Sequence, residues 1–390
     1  MQIKVNASNL CNALDCASVG GGKGFVLMVS PVKVPMGDKE VQVASVSSSN
    51  GEKTAMSSIV VHVTGMEEPQ VYYVSSSLRT AVASLSKIAE TLTIVSKGTY
   101  LEVFDEKKLS VVKVELMEKD IIMQLPDSPE GAVLVTMEKE KFVNAIKFGG
   151  YCAEESNTAN IDDVAFFAEE GKLTVLSRRS VAMCKAEAAV KGFQNKAEKQ
   201  EWYLVNYKFI QNLCAKLSGD MIQIAFTPKF MVIQTASACF GSKRSDGSVV
   251  KQLTDMLDNK EYDYSGKLAK KDLLLAMDIA MVAVKEKAVC LQTNEDNTIQ
   301  VSSEGNKTVV AQKECEGQMP EKRFSTDVIK LVLGGCGENI HYFGQLKTPF
   351  VMFDGEEDGV RYSNMIAPVV QKPKEENKPK DDKKAKLDKK

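Results

Sequence analysis

Apolar positions follow two rhythms along this chain. In runs such as "DVAFFAEEGKLTVLSRRSVAMCKAEA" (163–188) and "KAVCLQTNEDNTIQVSSEGNKTVVAQKE" (287–314) they alternate with polar residues, the pattern of paired strands with one buried face. Between such runs lie short stretches with a period near 3.6. In Lys208–Leu217 the residues Phe209, Ile210, Leu213 and Leu217 gather on one side of a helix, and Leu78, Val82, Leu85 and Ile88 do so in Leu78–Ile88. Further helices are predicted at Ser8–Ala17, Glu138–Phe148, Lys270–Lys285 and Phe324–Leu333.

These units repeat. "VSSSLRTAVASLSKIAETLTIVSKGTYLEVF" (74–104), "VNYKFIQNLCAKLSGDMIQIAFTPKFMVIQ" (205–234) and "FSTDVIKLVLGGCGENIHYFGQLKTPFVMFD" (324–354) share one order: strand end, polar cap, short helix, two strands across a turn. The second set of helices precedes these at a similar spacing, about 130 residues. The chain therefore reads as six helix-plus-strands units in three domains, 1–125, 126–250 and 251–370, with linkers near 120–132 and 245–266. Each helix has a single apolar stripe, so it must lie on one face of a curved antiparallel sheet. The fold class is α+β, and repeated units of this kind tend to close into a ring or stack as an arc.

The polar faces of the helices carry cations. Lys208 lies opposite the apolar stripe of its helix, with Lys216 at the rim; Arg79 and Lys87, Lys141 and Lys147, and Lys330 face outward on three others. Ser8–Ala17 has no basic residue, and the 270–285 helix mixes lysines with Asp272 and Asp278. Wet helix faces carry lysine for solubility alone. The collective pattern has a second reading, in which charges at equivalent places line a hole and meet phosphates without reading sequence.

Charge sharpens this contrast. The last twenty residues hold nine lysines against five acids, and the other 370 carry 41 basic and 47 acidic groups, a net of −6. The tail, 371–390, has almost no apolar residue and is expected to be disordered. Nine scattered cysteines with no CxxC pair read as reduced thiols rather than disulfides or a zinc site. With no apolar run near the ~20 residues of a membrane span and no signal-peptide pattern at the start, the expected compartment is the cytoplasm. An enzyme would need convergent acid–base or nucleophilic groups. The chain has only His62 and His341, and "DGEEDG" (354–359) lacks the spacing of a calcium loop. No catalytic residue, cofactor or metal is assigned. "SVGGGKGF" (18–25) is not a phosphate-binding P-loop either, since no Ser or Thr follows Lys23.

Taken in order, several stretches resemble the bacterial sliding clamp family, the beta subunit of replicative DNA polymerase III, over about residues 1–370. They are "IKVNASNLCNAL…SVGGGK", "VNYKFIQNL", "LTVLSRRSVAMC" and "GVRYSNMIAPVV". The resemblance implies a three-domain clamp fold with helices lining a ring and sheets outside. Two chains pair head to tail, enclose duplex DNA and tether the polymerase, without catalysis. It implies DNA contact by Lys23 and Lys208. It also implies a pocket between the second and third domains that takes short peptides from the polymerase and the clamp loader. That pocket draws on Ser177 and Val181, on Met365, Ala367, Pro368 and Val369, and on Leu253 and Met256 of the linker. The seam between chains is expected at Met281, Val282 and Val284. Around the pocket the chain departs from the family: "SRRSVAM" lacks the usual Gly-His pair, Ala367 is smaller than the usual Met, and Val370 stands where an arginine is usual. Changed pocket volume changes which peptide fits. The competing reading is a repeat-built interaction scaffold that does not enclose DNA.

Overall fold

The computed structural model describes residues 1–119, 131–153, 163–179, 181–245, 251–259 and 261–369. The three expected domain boundaries, the Lys-rich tail and the side chain of Leu253 lie outside the described residues. Within them, seven α-helices stand among twenty-six strands: α1 (Ala7–Ala17), α2 (Ser77–Leu85), α3 (Lys139–Gly149), α4 (Tyr207–Cys214), α5 (Lys251–Asp258), α6 (Lys270–Ala280) and α7 (Thr326–Gly334). Every helix except α5 follows a strand and leads into antiparallel strands, as the repeat predicts. Three predicted helices run too far. The 78–88 helix stops at Leu85, the 208–217 helix stops at Cys214, and the 270–285 helix stops at Ala280, where a turn with Ala283 in the left-handed region begins.

The local signals are ordinary ones. Asn6 and Asn206 cap α1 and α4, their side-chain oxygens accepting from the Asn9 and Phe209 amides at 3.0 and 3.2 Å. The strand Lys53–Thr64 alternates buried and exposed residues over most of its length, so one face is core and the other is wet.

Two of the three sheets cross between thirds of the chain. The strand Ala238–Lys243 pairs antiparallel with the start of Lys53–Thr64, from Ala238 opposite Ser57 to Ser242 opposite Lys53. The strand Ala182–Ala189 pairs in the same way with Val360–Ile366. Behind the sheets α2 touches α1, α4 touches α3 and α7 touches α6, while the 3-10 turns Ser18–Gly20 and Tyr151–Ala153 that follow α1 and α3 touch α4 and α7. One apolar core is drawn from residues between Ile3 and Val114, and a second spans Val133 to Ile366 and takes in Ala55 of the first third.

The repeat extends to the joints. The buried residues Leu10, Ala13, Leu14 and Ala17 of α1 correspond in order to Phe142, Ala145, Ile146 and Gly149 of α3 and to Leu273, Ala276, Met277 and Ala280 of α6. In that register Val19, Tyr151 and Val282 share one position, just past the helix end. Val19 packs against the second core, and its turn touches α4. Tyr151 sits on α7, where a Cβ at Gly334 would come within 2.4 Å of its ring. Val282 is 64% exposed. The strand Asn306–Ala311, placed in the third unit as Lys53–Thr64 and Ala182–Ala189 are in theirs, pairs on one side only among the described strands. At the other end of the chain, Val111–Glu115 pairs regularly only with Tyr100–Asp105, apart from one bridge between Leu116 and Val74.

Candidate nucleic-acid interface

Lys23 stands where α1 gives way to the first sheet. After the 3-10 turn Ser18–Gly20 the chain passes Gly21 at φ 71° and runs against the turn at 48–53. A Cβ on Gly20 would lie 1.9 Å from the Ser48 carbonyl oxygen, and one on Gly22 2.5 Å from that of Ser49. The Gly22 amide donates to Ser48 Oγ at 3.1 Å, and that hydroxyl donates to the Gly24 carbonyl at 2.9 Å. Gly20 and Gly22 serve close approach, and Lys23 is left exposed at the edge of a packed segment. Gly20→Ala is expected to cost about 1–3 kcal/mol of stability through overpacking, read as a lower urea midpoint.

Lys208 is exposed in the first turn of α4, where the amide ends add positive potential. Beside it is a residue that pattern reading missed. Lys53 reaches across the joint and donates to Asn206 Oδ1 at 3.1 Å, with its ammonium 6.0 Å from the centre of the Phe209 ring. Burial lowers its pKa below the ordinary lysine value, and Lys208 adds repulsion. Nothing in the sequence around Lys53 marks it, because its partners lie 153 and more residues away.

The other cations inferred from helix phase, Lys87 excepted, are held by carboxylates. Asp15 on α1 takes Arg79 Nε at 2.6 Å and Lys216 Nζ at 3.5 Å, one from its own third and one from the next. Lys330 meets Asp278 at 2.6 Å. Lys147 meets Glu357 at 3.9 Å and lies 4.9 Å from the Phe148 ring centre, and Lys141 is 3.9 Å from Glu138. Among the described residues no carboxylate oxygen lies within 4.0 Å of Lys23, Lys87 or Lys208, so these three face solvent unpaired by acids.

The other face of the sheet between the second and third thirds carries a separate apolar cluster. Ala165, Leu176, Met183, Leu257, Phe343, Met352 and Met365 form it, with Met256 and Trp202 half-buried against it. Here α5, inside a stretch read as linker, seats Leu257 in the cluster and pairs Asp258 with the buried Lys185. Val181 and Val369 stand at the rim, 39% and 46% exposed, beside half-buried Ala367 and Pro368. The Ala367 amide donates to the Val181 carbonyl at 2.8 Å, which ties the two rim segments together. Ser177 is a correction. Its hydroxyl donates to the Gly149 carbonyl at 2.6 Å and accepts from the Cys152 amide at 3.1 Å. It therefore points into the helix layer, while its neighbour Leu176 reaches the outer cluster.

All nine cysteines are free thiols, with the Cys152 and Cys184 sulfurs 3.1 Å apart in the core. Among the described residues no group of three or more His, Cys, Asp or Glu side chains is placed to hold a metal ion, and no helix is long and apolar enough to cross a membrane.

No family model matches the chain, and no curated protein matches it. Solved structures do. The DNA polymerase sliding clamp from Bacillus subtilis is 15% identical at a TM-score of 0.78, covering 95% of this chain and 100% of that one. The DNA polymerase III beta subunit from Thermotoga maritima gives 14% and 0.74 over the same shares. The beta subunit from Pseudomonas aeruginosa gives 15% and 0.76, again over 95% and 100%. At these identities the likeness establishes the fold, which is that of the sliding clamps.

Proposed function

We propose that this chain is a sliding clamp: two copies join head to tail into a ring of six similar units that encloses duplex DNA and tethers a polymerase, with no chemistry of its own. The observation that carries this reading is the repeated joint with one half left over at each end. Val19 and Tyr151 are covered by the next third of the chain, while Val282 is bare. Ile279 and Leu275, on the same face of α6, are 48% and 60% exposed. Among the described strands Asn306–Ala311 has a free edge, with Val309 60% exposed. The complementary half, α2 with the strand Val111–Glu115, stands at the chain's other end. A second copy supplies each half to the other. Met281, Val282 and Val284 belong to that seam, now with Leu275, Ile279 and Val309, and the outward apolar stripe of α6 was the sequence signal for them.

In such a ring the helix layer faces the hole. Lys23, Lys87 and Lys208, with Lys53 behind them, contact phosphates independently of sequence. Partner peptides lie on the rim formed by Val181, Ala367, Pro368 and Val369, over Met365 and Met256. An exposed apolar edge on a buried apolar floor takes a short linear segment by shape.

The test is retention. The protein, once loaded, is expected to stay on nicked circular DNA and to run off when the circle is cut. Equal loss from both, together with a 42.7 kDa monomer in solution, would leave the scaffold reading instead. The Lys23→Glu, Lys208→Glu double variant is expected to remain a dimer. Its affinity for primed duplex should fall about 10-fold or more at 50 mM salt, with a log–log salt slope shallower by about two. Unchanged affinity would remove both residues from the interface.

A further inference from the structure

Asp15 and Asp278 occupy one position in the repeat: each directly follows an equivalent buried residue, Leu14 in α1 and Met277 in α6. Each carboxylate takes a cation from the neighbouring helix of its own third at 2.6 Å, Arg79 in one case and Lys330 in the other. Asp15 also reaches Lys216 across the joint. None of these groups is buried away. The side chains of Arg79, Lys216 and Lys330 remain 46%, 32% and 39% exposed, so a phosphate oxygen can approach any of them.

We propose that Asp15 and Asp278 are built-in competitors of the DNA phosphates, which resist the grip of the helix layer on the duplex. The proposal rests on the clamp reading above. A phosphate that approaches Arg79, Lys216 or Lys330 meets a cation already satisfied by a carboxylate, and it is repelled by that carboxylate's charge. The fully attractive contacts are then left to lysines with no acid partner among the described residues, Lys23, Lys87 and Lys208 among them. A duplex held this way moves past the helices without stopping at any of them. A cation released from its carboxylate adds a phosphate contact and steepens the salt dependence, since each contact contributes about 0.9 to the slope.

The experiment measures binding of the full chain to a fluorescent 30-base-pair duplex (about three helical turns) across 50–200 mM salt. Asp15→Asn is expected to bind about 10-fold more tightly at the low end, with a slope steeper by about one to two units. Asp278→Asn should act in the same direction by about half as much on the slope. Glu356→Gln, on the opposite face of the sheet and paired with Arg361, should leave both readings unchanged. Asp15→Asn could also loosen the joint it spans. Asp278, whose partner lies in its own third, then decides alone. If both Asn variants match the parent while the Lys23→Glu, Lys208→Glu protein binds less, the competitor role is wrong and the clamp reading stands. A parent protein with no salt-dependent duplex binding overturns both.

Discussion

Val282→Asp is expected to leave the chain folded but monomeric, sedimenting at 42.7 kDa where the parent runs at about twice that mass. The reasoning starts from the repeat. The residue at this position is covered in the first two thirds, by the second core at Val19 and by α7 at Tyr151. At Val282 it is 64% exposed, so the substitution costs the isolated chain little. In the assembly it would place a carboxylate in an apolar contact. An uncompensated buried charge costs about 3–5 kcal/mol, and a closed ring contains two such seams. The variant should therefore also lose retention on nicked circles while still showing weak, salt-dependent duplex binding. A dimer that survives Val282→Asp, tested together with Val309→Glu on the free strand edge, would place the seam elsewhere.

The second large effect is on folding. Phe166→Ala should destabilise the second and third thirds together by about 3–5 kcal/mol, a large share of a typical domain stability of about 5–15 kcal/mol. Phe166 is fully buried between Phe142, with centroids 6.3 Å apart, and Phe226 at 5.9 Å, and Tyr203 packs on Phe226 at 4.9 Å. The core it serves continues from Val133 to Ile366, so no boundary within that span isolates the damage. The first third has its own core and should keep its unfolding midpoint. The only tryptophan, Trp202, rests on Phe167 at 5.2 Å and reports the affected part. A urea titration followed by Trp202 fluorescence should shift, while exchange protection of amides such as Leu10 and Val82 should not. A common shift of both signals would contradict two separate cores.

The repeat was legible because burial is periodic: the same four positions are buried in α1, α3 and α6, and one apolar stripe per helix suffices to find them. The helix α5 was equally readable from the i, i+3, i+4 spacing of Leu253, Met256 and Leu257, but it sits in a stretch whose polar flanks read as linker. Ser177 went astray for a different reason. Matching a motif assigns a residue to a segment, whereas the alternation of a strand assigns it to a face, and one step along the strand exchanges the two faces. Val181, Ala367, Pro368 and Val369 lie at strand ends, so their place on the rim does not depend on parity. What the chain could not disclose in advance is which cations are already satisfied. Asp15 meets residues 64 and 201 positions away, and only the approach of α1, α2 and α4 brings them together. Lys53 was hidden in the same way.

The crossing of sheets between thirds separates two kinds of joint. Within a copy, the halves of a joint are linked by one polypeptide, so a joint that opens closes again at the high effective concentration set by its own tether, millimolar for a short flexible one. Between copies no such leash exists, and re-closure waits on a second molecule at whatever level the cell supplies. The weakest links of the proposed hoop are thus the joints that no tether closes, before any side chain is considered. On dilution the hoop should part at those places first, as two intact crescents.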